Sequence, residues 1–258
     1  MRDKLGARRV PLMAAGVRSG SIRDGVGTMC EVDVETARMW RRAPRPFVLF
    51  VTMFFAVWTV RATVLYGIDT HIAPDLARRL YDYTLKVTLW VVPVIVYLCC
   101  VERVPPWRAL RLTTPVSRSG LAKAGAAAAL YFGVVLLYAM VRGRDLSAFL
   151  HANLPLALAS VAFSPVCEEI LFRGFILGRL WAALGFWRAN LITALLFTLV
   201  HWPNWVWVHG WPFALASSVS VYVVGVFLGM LVKLTGSLWP SVGAHIAYNV
   251  LITVLGPF

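Results

Sequence analysis

Two adjacent carboxylates, Glu168 and Glu169, lie inside an apolar run from Leu154 to Leu177. A charge at the centre of a membrane helix costs at least about 2.5 kcal/mol, so ionisable residues at that depth usually mark a functional site. In a helix, Glu169 and Arg173 share one face in the order that favours an ion pair. Glu168 points elsewhere and has no obvious partner in its own helix. It is the available carboxylate, suited to a general base that activates water.

Two further pairs of residues have helical spacing. Phe197 precedes His201 by four positions, and His245 precedes Asn249 by four, so each pair shares one helix face. His245 with Asn249 offers two adjacent donors, which is what a developing oxyanion requires. We expect Phe197 to pack beside His201 and hold its ring. Taken singly, polar residues of this kind more often form structural interhelical bonds. Taken together, they favour hydrolytic chemistry.

Composition places these residues in an integral membrane protein. The chain is 59% hydrophobic and 14% charged, whereas soluble domains carry about 25% charged residues. A bilayer core needs about 20 apolar residues per helix, so the sequence predicts an all-α polytopic transmembrane bundle of about seven to eight helices with a membrane-embedded catalytic cavity. The predicted spans are Phe47–Tyr66, Leu85–Val101, Leu121–Val141, Leu154–Leu177, Ala189–His201, Phe213–Val232 and Leu238–Leu255. The fifth is short, and it either extends toward Val208, begins near Trp181 or lines a cavity.

A basic N-terminal extension, residues 1–45, precedes the transmembrane domain, residues 46–258. The extension holds ten Lys and Arg residues and lacks the apolar core of a signal peptide, so we expect it to stay in the cytoplasm. The formal net charge of the whole chain is +13. Its basic residues flank hydrophobic helices, which indicates membrane topology and anionic lipid and argues against nucleic-acid binding. The four cysteines have no disulfide or metal spacing.

The motifs Glu-Glu-x-x-x-Arg-Gly, Phe-x-x-x-His and His-x-x-x-Asn, in this order, resemble the CPBP family. That family comprises CAAX prenyl endopeptidases and bacterial homologues, and is also called the Abi or bacteriocin-processing family. The motifs are carried here by Glu168, Glu169, Arg173, Gly174, Phe197, His201, His245 and Asn249. The resemblance covers about residues 150–253.

This resemblance implies a glutamic-type intramembrane endopeptidase without a cofactor, in a bacterial inner membrane. The implied roles are water activation by Glu168, assistance or orientation of the water by His201, oxyanion stabilisation by His245 with Asn249, and support by Glu169 with Arg173. The implied partners are the lipid bilayer and a membrane-associated protein or peptide substrate. That substrate is a prenylated CAAX tail, a bacteriocin leader or a C-terminal sorting peptide. No oligomeric state is implied.

Other functions remain open at this stage. Glu168, His201 and His245 could form a three-ligand zinc site, although the cation of Arg173 beside it disfavours a metal. A non-enzymatic immunity or scaffold protein could keep the fold without the activity, but no candidate catalytic residue is missing. A transporter fits less well, because the polar residues cluster at one depth and do not form a relay across the bilayer.

Overall fold

The computed structural model of the chain describes residues 45–66, 68, 75–145, 147, 158 and 161–255. All the secondary structure among these residues is helical. The basic extension lies outside them except for Arg45, so the division at residue 45 stays a prediction. The first part of the predicted fourth span, up to residue 160, also lies almost entirely outside the described residues.

The helices below are those among the described residues. In chain order they are α1 (Arg45–Thr63), α2 (75–102), α3 (Pro106–Ala109), α4 (Arg118–Val141), α5 (163–184), α6 (Phe186–Leu199), α7 (Trp202–His209), α8 (Trp211–Thr235) and α9 (Trp239–Leu255). Within the described part of the chain, five segments are long and apolar enough to cross a membrane: Arg45–Thr63, Leu80–Glu102, Arg118–Val141, Phe186–His209 and Trp211–Thr235. The predicted polytopic helical membrane bundle is therefore confirmed. The fifth predicted span extends through its tryptophan-rich tail to His209, which is the first of the three alternatives given above.

Helices α2 and α5 both depart from regular α-helical winding. In α2 the segment Val87–Val91 is π-helical, and in α5 the segment Ile170–Ile176 is π-helical. Pro93 contributes to the first of these, because its ring displaces the carbonyl four residues earlier and it has no N–H to donate. These two segments follow directly after Lys86 and Glu169, and a third π-helical segment, Tyr97–Glu102, ends α2. Single π turns of this kind occur frequently at functional sites, because they change the direction of nearby side chains.

Helix α5 is enclosed by its neighbours. Every residue from 171 to 177 is buried, whereas outward side chains such as Leu130 and Val141 are more than 70% exposed, as expected for a surface that faces lipid. Aromatic contacts join α5 to α2 and α6. Phe172 lies edge-on to Trp90 at 5.9 Å and to Phe197 at 5.2 Å between ring centroids. These contacts hold α5 at a fixed depth between two spanning helices.

Glycine allows α6 and α8 to approach each other closely. A Cβ at Gly229 would lie 1.8 Å from Oδ1 of Asn190, and one at Gly225 would lie 3.1 Å from Cβ of Ala194. The two glycines are four residues apart, the small-residue spacing typical of close helix pairs in membranes. The carbonyl of Val226 accepts a hydrogen bond from Nδ2 of Asn190 at 2.9 Å. This packing brings the backbone of α8 within reach of side chains from α5.

Candidate active site

Glu168 is buried near the start of α5, with different surroundings at its two oxygens. Its Oε1 accepts hydrogen bonds from Nζ of Lys86 at 2.6 Å and from Oγ of Ser164 at 2.8 Å. Its Oε2 lies 3.7 Å from Nε2 of His245. The prediction that Glu168 lacks a partner in its own helix is wrong, because Ser164 lies one turn earlier on the same face. One oxygen is therefore held by two donors, while the other faces an imidazole.

Glu169 is completely buried and is surrounded by donors. Its Oε1 accepts from Nη1 of Arg173 at 2.8 Å, which is the ion pair predicted from their spacing. Nδ1 of His245 lies 2.9 Å from the same oxygen, and Oγ of Ser241 lies 2.5 Å from Oε2. This carboxylate thus links α5 to α9 through two side chains of α9. Both oxygens of Glu169 are hydrogen-bonded, which fits a supporting role.

Arg173 spreads its charge over three neighbours. Besides Glu169, its Nη2 donates to the carbonyl of Gly225 at 3.2 Å, and its guanidinium lies 4.2 Å from the ring centroid of Phe197. A fully buried guanidinium is tolerated only when it is paired and hydrogen-bonded. The bond to Gly225 depends on the close approach of α8, because a side chain at that position would meet both Ala194 and Arg173.

His245 stands between the two glutamates. Its Nδ1 faces Glu169 and its Nε2 faces Glu168. Because a carboxylate only accepts, the proton on Nδ1 is the one that Glu169 binds, and Nε2 of the neutral ring is left as an acceptor. Nε2 can donate only when the ring carries a second proton.

His201 lies in the turn between α6 and α7, directly before α7, and is held by contacts with both helices. Its Nδ1 lies 2.7 Å from the carbonyl of Phe197, its ring is edge-on to the Phe197 ring at 5.1 Å, and Trp205 stacks on it at 5.0 Å. The contact expected between Phe197 and His201 is present. Since the backbone carbonyl binds Nδ1, the other ring nitrogen is left to act as an acceptor. His201 is close enough to Glu168 for the two groups to interact electrostatically.

Asn249 stays outside this hydrogen-bonded cluster. It lies one turn beyond His245 on α9 and is partly exposed. Among the described residues, no side chain forms a hydrogen bond with its amide, and its backbone carbonyl accepts from Oγ1 of Thr253 at 2.7 Å. The structure therefore brings Glu168, Glu169, Arg173 and His245 into direct contact and leaves Asn249 available at the edge of the cluster.

Two cavities lie near the candidate site residues. One has a volume of about 290 Å³ and is lined by Lys86 and Ser164, the two donors to Glu168, together with Trp58, Arg61, Asp82, Tyr83, Leu85 and Phe163. The other, of about 720 Å³, is a mainly apolar groove between α4 and α8 that reaches Tyr248 of α9. Tyr248 directly precedes Asn249. The smaller cavity thus contacts the donors of Glu168, and the apolar groove reaches the residue next to Asn249.

Comparison with known proteins gives one match. Residues 150–251 match the model of the family described as type II CAAX prenyl endopeptidase Rce1-like. The resemblance to the CPBP family is confirmed over this segment. It spans fewer than half of the 258 residues, but it contains all three motifs. No curated protein and no solved structure matches the chain. The CPBP match indicates protease activity, and with the apolar helices it supports a membrane-embedded endopeptidase of the CAAX type.

The CPBP motif residues do not converge as a metal site. Among the described residues, no group of three or more His, Cys, Asp or Glu side chains is arranged to hold an ion. The Lys86 ammonium already binds Oε1 of Glu168, and a second cation, Arg173, lies one turn beyond the glutamates. Positive charge so close to the carboxylates would repel a divalent cation. The donor set therefore does not fit the zinc alternative built on Glu168, His201 and His245.

Three residues that contact the glutamates were not identified from the sequence. Lys86 lies outside the CPBP match, and only its position at the edge of a predicted span distinguished it. Ser164 is four residues before Glu168, a spacing that does predict a shared helix face. Ser241 is four residues before His245 and offered the same signal. Two of the three were therefore accessible to the periodicity rule, and Lys86 was not.

Proposed function

We propose that this protein is an intramembrane endopeptidase in which Glu168 is the general base. A water molecule gives a proton to Oε2 of Glu168 as its oxygen bonds to the carbonyl carbon of the substrate peptide. The carbonyl oxygen becomes an oxyanion, stabilised by Asn249 and by the charged form of His245. The carbon–nitrogen bond then breaks, and Glu168 passes the proton to the leaving amine. His201 orients the water through its free ring nitrogen.

One observation carries this proposal. Glu168 has one oxygen fixed by Lys86 and Ser164 and the other facing His245, beside a cavity large enough for water. A general base must lie within hydrogen-bond reach of the proton that it takes, with its lone pair free. In contrast, both oxygens of Glu169 are occupied. Glu168 is therefore assigned to the chemistry and Glu169, with Arg173, to its support.

The first substrate to test is a prenylated CAAX peptide, because the matched family is described by that name. We would measure cleavage of an internally quenched prenylated peptide by the purified protein in lipid vesicles. We expect Glu168→Gln to lower kcat by about 10²–10⁴-fold, the usual contribution of general acid–base catalysis. Asp145→Asn is the matched control, since Asp145 is an exposed acid bonded to Ser147. Wild-type cleavage by Glu168→Gln would overturn the proposal.

A second measurement separates an enzyme from a scaffold of the same fold. Glu168→Ala and His245→Ala variants, expressed at wild-type levels, are introduced into cells that lack the native gene. We expect neither to restore the deletion phenotype. Comparison of membrane proteomes from the same strains then identifies the substrate, since its C-terminus or leader stays uncut in both variants. Full rescue by both variants would favour the scaffold.

The proposed setting is the inner membrane of a bacterium, with the N-terminus in the cytoplasm. The basic residues of the extension support this orientation, because cytoplasmic segments near membrane helices carry an excess of Lys and Arg. A reporter enzyme that is active only outside the cytoplasm, fused at residue 45, should be inactive. Activity of that fusion would reverse the orientation. We propose a membrane-anchored protein or peptide as the partner, and no nucleic acid.

A further inference from the structure

Among the described residues, Lys86 is the only one outside the CPBP match that forms a hydrogen bond with Glu168. It lies on α2, and its ammonium is 2.6 Å from Oε1 of Glu168 and 2.5 Å from Oγ of Ser164. The ammonium also lies 4.5 Å from the ring centroid of Trp90 and 5.8 Å from that of Trp58. Two oxygens and two aromatic faces therefore define its position.

The contacts of Lys86 determine which oxygen of Glu168 is left to react. Ser164 accepts from Lys86 and donates to Glu168, so the three groups form a closed set of hydrogen bonds on Oε1. An ammonium has three donor hydrogens and no acceptor, so it cannot compete for the proton that a base must take. Oε2 is thereby directed toward His245. This directionality distinguishes Lys86 from a cation that merely lies nearby.

Charge balance points to the same role. The charged groups facing Glu168 from the packed helices are Lys86 on α2 and Glu169 with Arg173 on α5, and two titratable rings, His201 and His245, complete the set. With Lys86 present, two carboxylates are balanced by two permanent cations. Without it, two buried carboxylates share one cation, and the unpaired charge is costly in low dielectric. With both imidazoles uncharged, the cluster is neutral only because α2 supplies this lysine.

We infer that Lys86 is a positioning residue that holds Glu168 as an oriented carboxylate, with Oε2 turned toward the water and substrate. This inference rests on the proposed role of Glu168 as general base. Lys86 also lines the cavity of about 290 Å³, whereas a water molecule needs about 30 Å³. The ammonium that binds Oε1 therefore belongs to a residue that also lines this cavity.

The experiment compares Lys86→Met, Lys86→Arg and Lys123→Met in the peptide-cleavage assay. Lys123 is the matched control, because it is an exposed lysine in the spanning helix α4. We expect Lys86→Met to lower kcat by about 10²-fold while KM changes by less than about threefold, since the base and not the substrate contact is affected. Lys86→Arg should recover part of kcat because it keeps the charge. Lys123→Met should match the wild type.

A second readout requires no substrate. Hydrophobic carbodiimides react with carboxyl groups that carry a proton, and mass spectrometry of the labelled peptide reports on Glu168 itself. We expect Lys86→Met to speed labelling of Glu168 by about tenfold or more, because the stranded charge is relieved by a proton. Lys86→Arg should stay close to the wild type. The melting temperature in detergent shows that each variant is folded.

The outcomes separate this inference from the proposed function. Wild-type kcat and wild-type labelling in Lys86→Met, together with an inactive Glu168→Gln, would refute the role of Lys86 and leave the base assignment intact. An active Glu168→Gln would remove the base assignment, whatever Lys86→Met does. Equal losses in Lys86→Met and Lys86→Arg, with unchanged labelling in both, would show that the shape of lysine matters and its charge does not, which also contradicts the inference.

Discussion

Two ion-pair contacts join the same two helices, α2 and α5, and they differ in kind. Toward one end, Lys86 of α2 meets Glu168 of α5; toward the other, Glu102 of α2 meets Arg179 of α5. In the second pair, Nε of Arg179 donates to Oε1 of Glu102 at 3.0 Å, and Nη2 pairs with Oε2. The Arg179 guanidinium also packs 4.8 Å from the ring centroid of Phe175. Each oxygen of that carboxylate has one guanidinium nitrogen.

The two contacts differ in whether any hydrogen-bonding group remains after the ion pair has formed. The Glu102–Arg179 pair is a parallel, two-bond arrangement that satisfies both oxygens of the acid. The cluster around Glu168 and Glu169 contains more acids, bases and hydroxyls than such a pairing needs, and it adjoins a cavity. Burial of charge in a membrane helix is therefore not enough to identify a site. An oxygen left without a dedicated donor is the more telling sign.

Stability is the property that the Glu102–Arg179 pair should control. Glu102→Leu leaves the buried guanidinium of Arg179 without its carboxylate, so we expect a loss of about 4 kcal/mol in the free energy of unfolding. Cleavage per folded molecule should be nearly unchanged. The double variant Glu102→Leu/Arg179→Met should recover most of that loss, since apolar residues of similar volume replace the pair. Unfolding in mixed detergent would measure both quantities.

A large drop in kcat for the folded Glu102→Leu variant would break the comparison, because it would place this pair inside the catalytic machinery. Failure of the double variant to regain stability would also contradict the comparison, for a different reason. In that case, the carboxylate and the guanidinium would stabilise the fold by more than neutralising each other.

Glu169→Gln should affect both properties, which sharpens the contrast between the two regions. Arg173 keeps the Gly225 carbonyl and the Phe197 ring, so we expect a smaller stability loss, of about 3 kcal/mol. Activity should fall by about 10–100-fold, since the carboxylate that orients His245 loses its charge. Thermal unfolding and peptide cleavage on the same preparation test this. Unchanged cleavage would remove Glu169 from the support of the site.

The sequence predicts most of the helices and only part of the cluster. Apolar run length locates the spans because a membrane fixes how long a helix must be. The i,i+4 rule predicts the contact between Glu169 and Arg173, because both side chains project from one helix. Lys86 is 82 positions from Glu168, and Glu102 is 77 positions from Arg179. Contacts between helices depend on rotation and depth, which periodicity within one helix does not specify.

The same limit applies to Glu168. Viewed along its own helix, it has no cationic partner at i+3 or i+4, so the sequence predicts partners from other helices without identifying them. The partner arrives from α2, whose orientation depends on the π-helical turn after Lys86. Conversely, the Gly225-x-x-x-Gly229 spacing was a readable signal for close packing of α8, although it did not indicate that Asn190 would fill the space.

The smallest effect is expected for Ser241→Ala, which tests whether the other partners of Glu169 are enough to hold it in place. Ser241→Ala removes the hydroxyl 2.5 Å from Oε2 of Glu169 and leaves Arg173 and His245 in place on Oε1. A hydrogen bond to a charged group contributes about 1.5 kcal/mol or more, so we expect a stability loss of about 1.5 kcal/mol and a fall in kcat within about tenfold. Ser217→Ala on α8, away from the glutamates, is the matched control. If Ser241→Ala lowers kcat as far as Glu169→Gln does, the orientation of Glu169 and not its charge supports His245, because the serine variant leaves the charge of that carboxylate in place while it removes one of its donors and the bond to the Leu228 carbonyl.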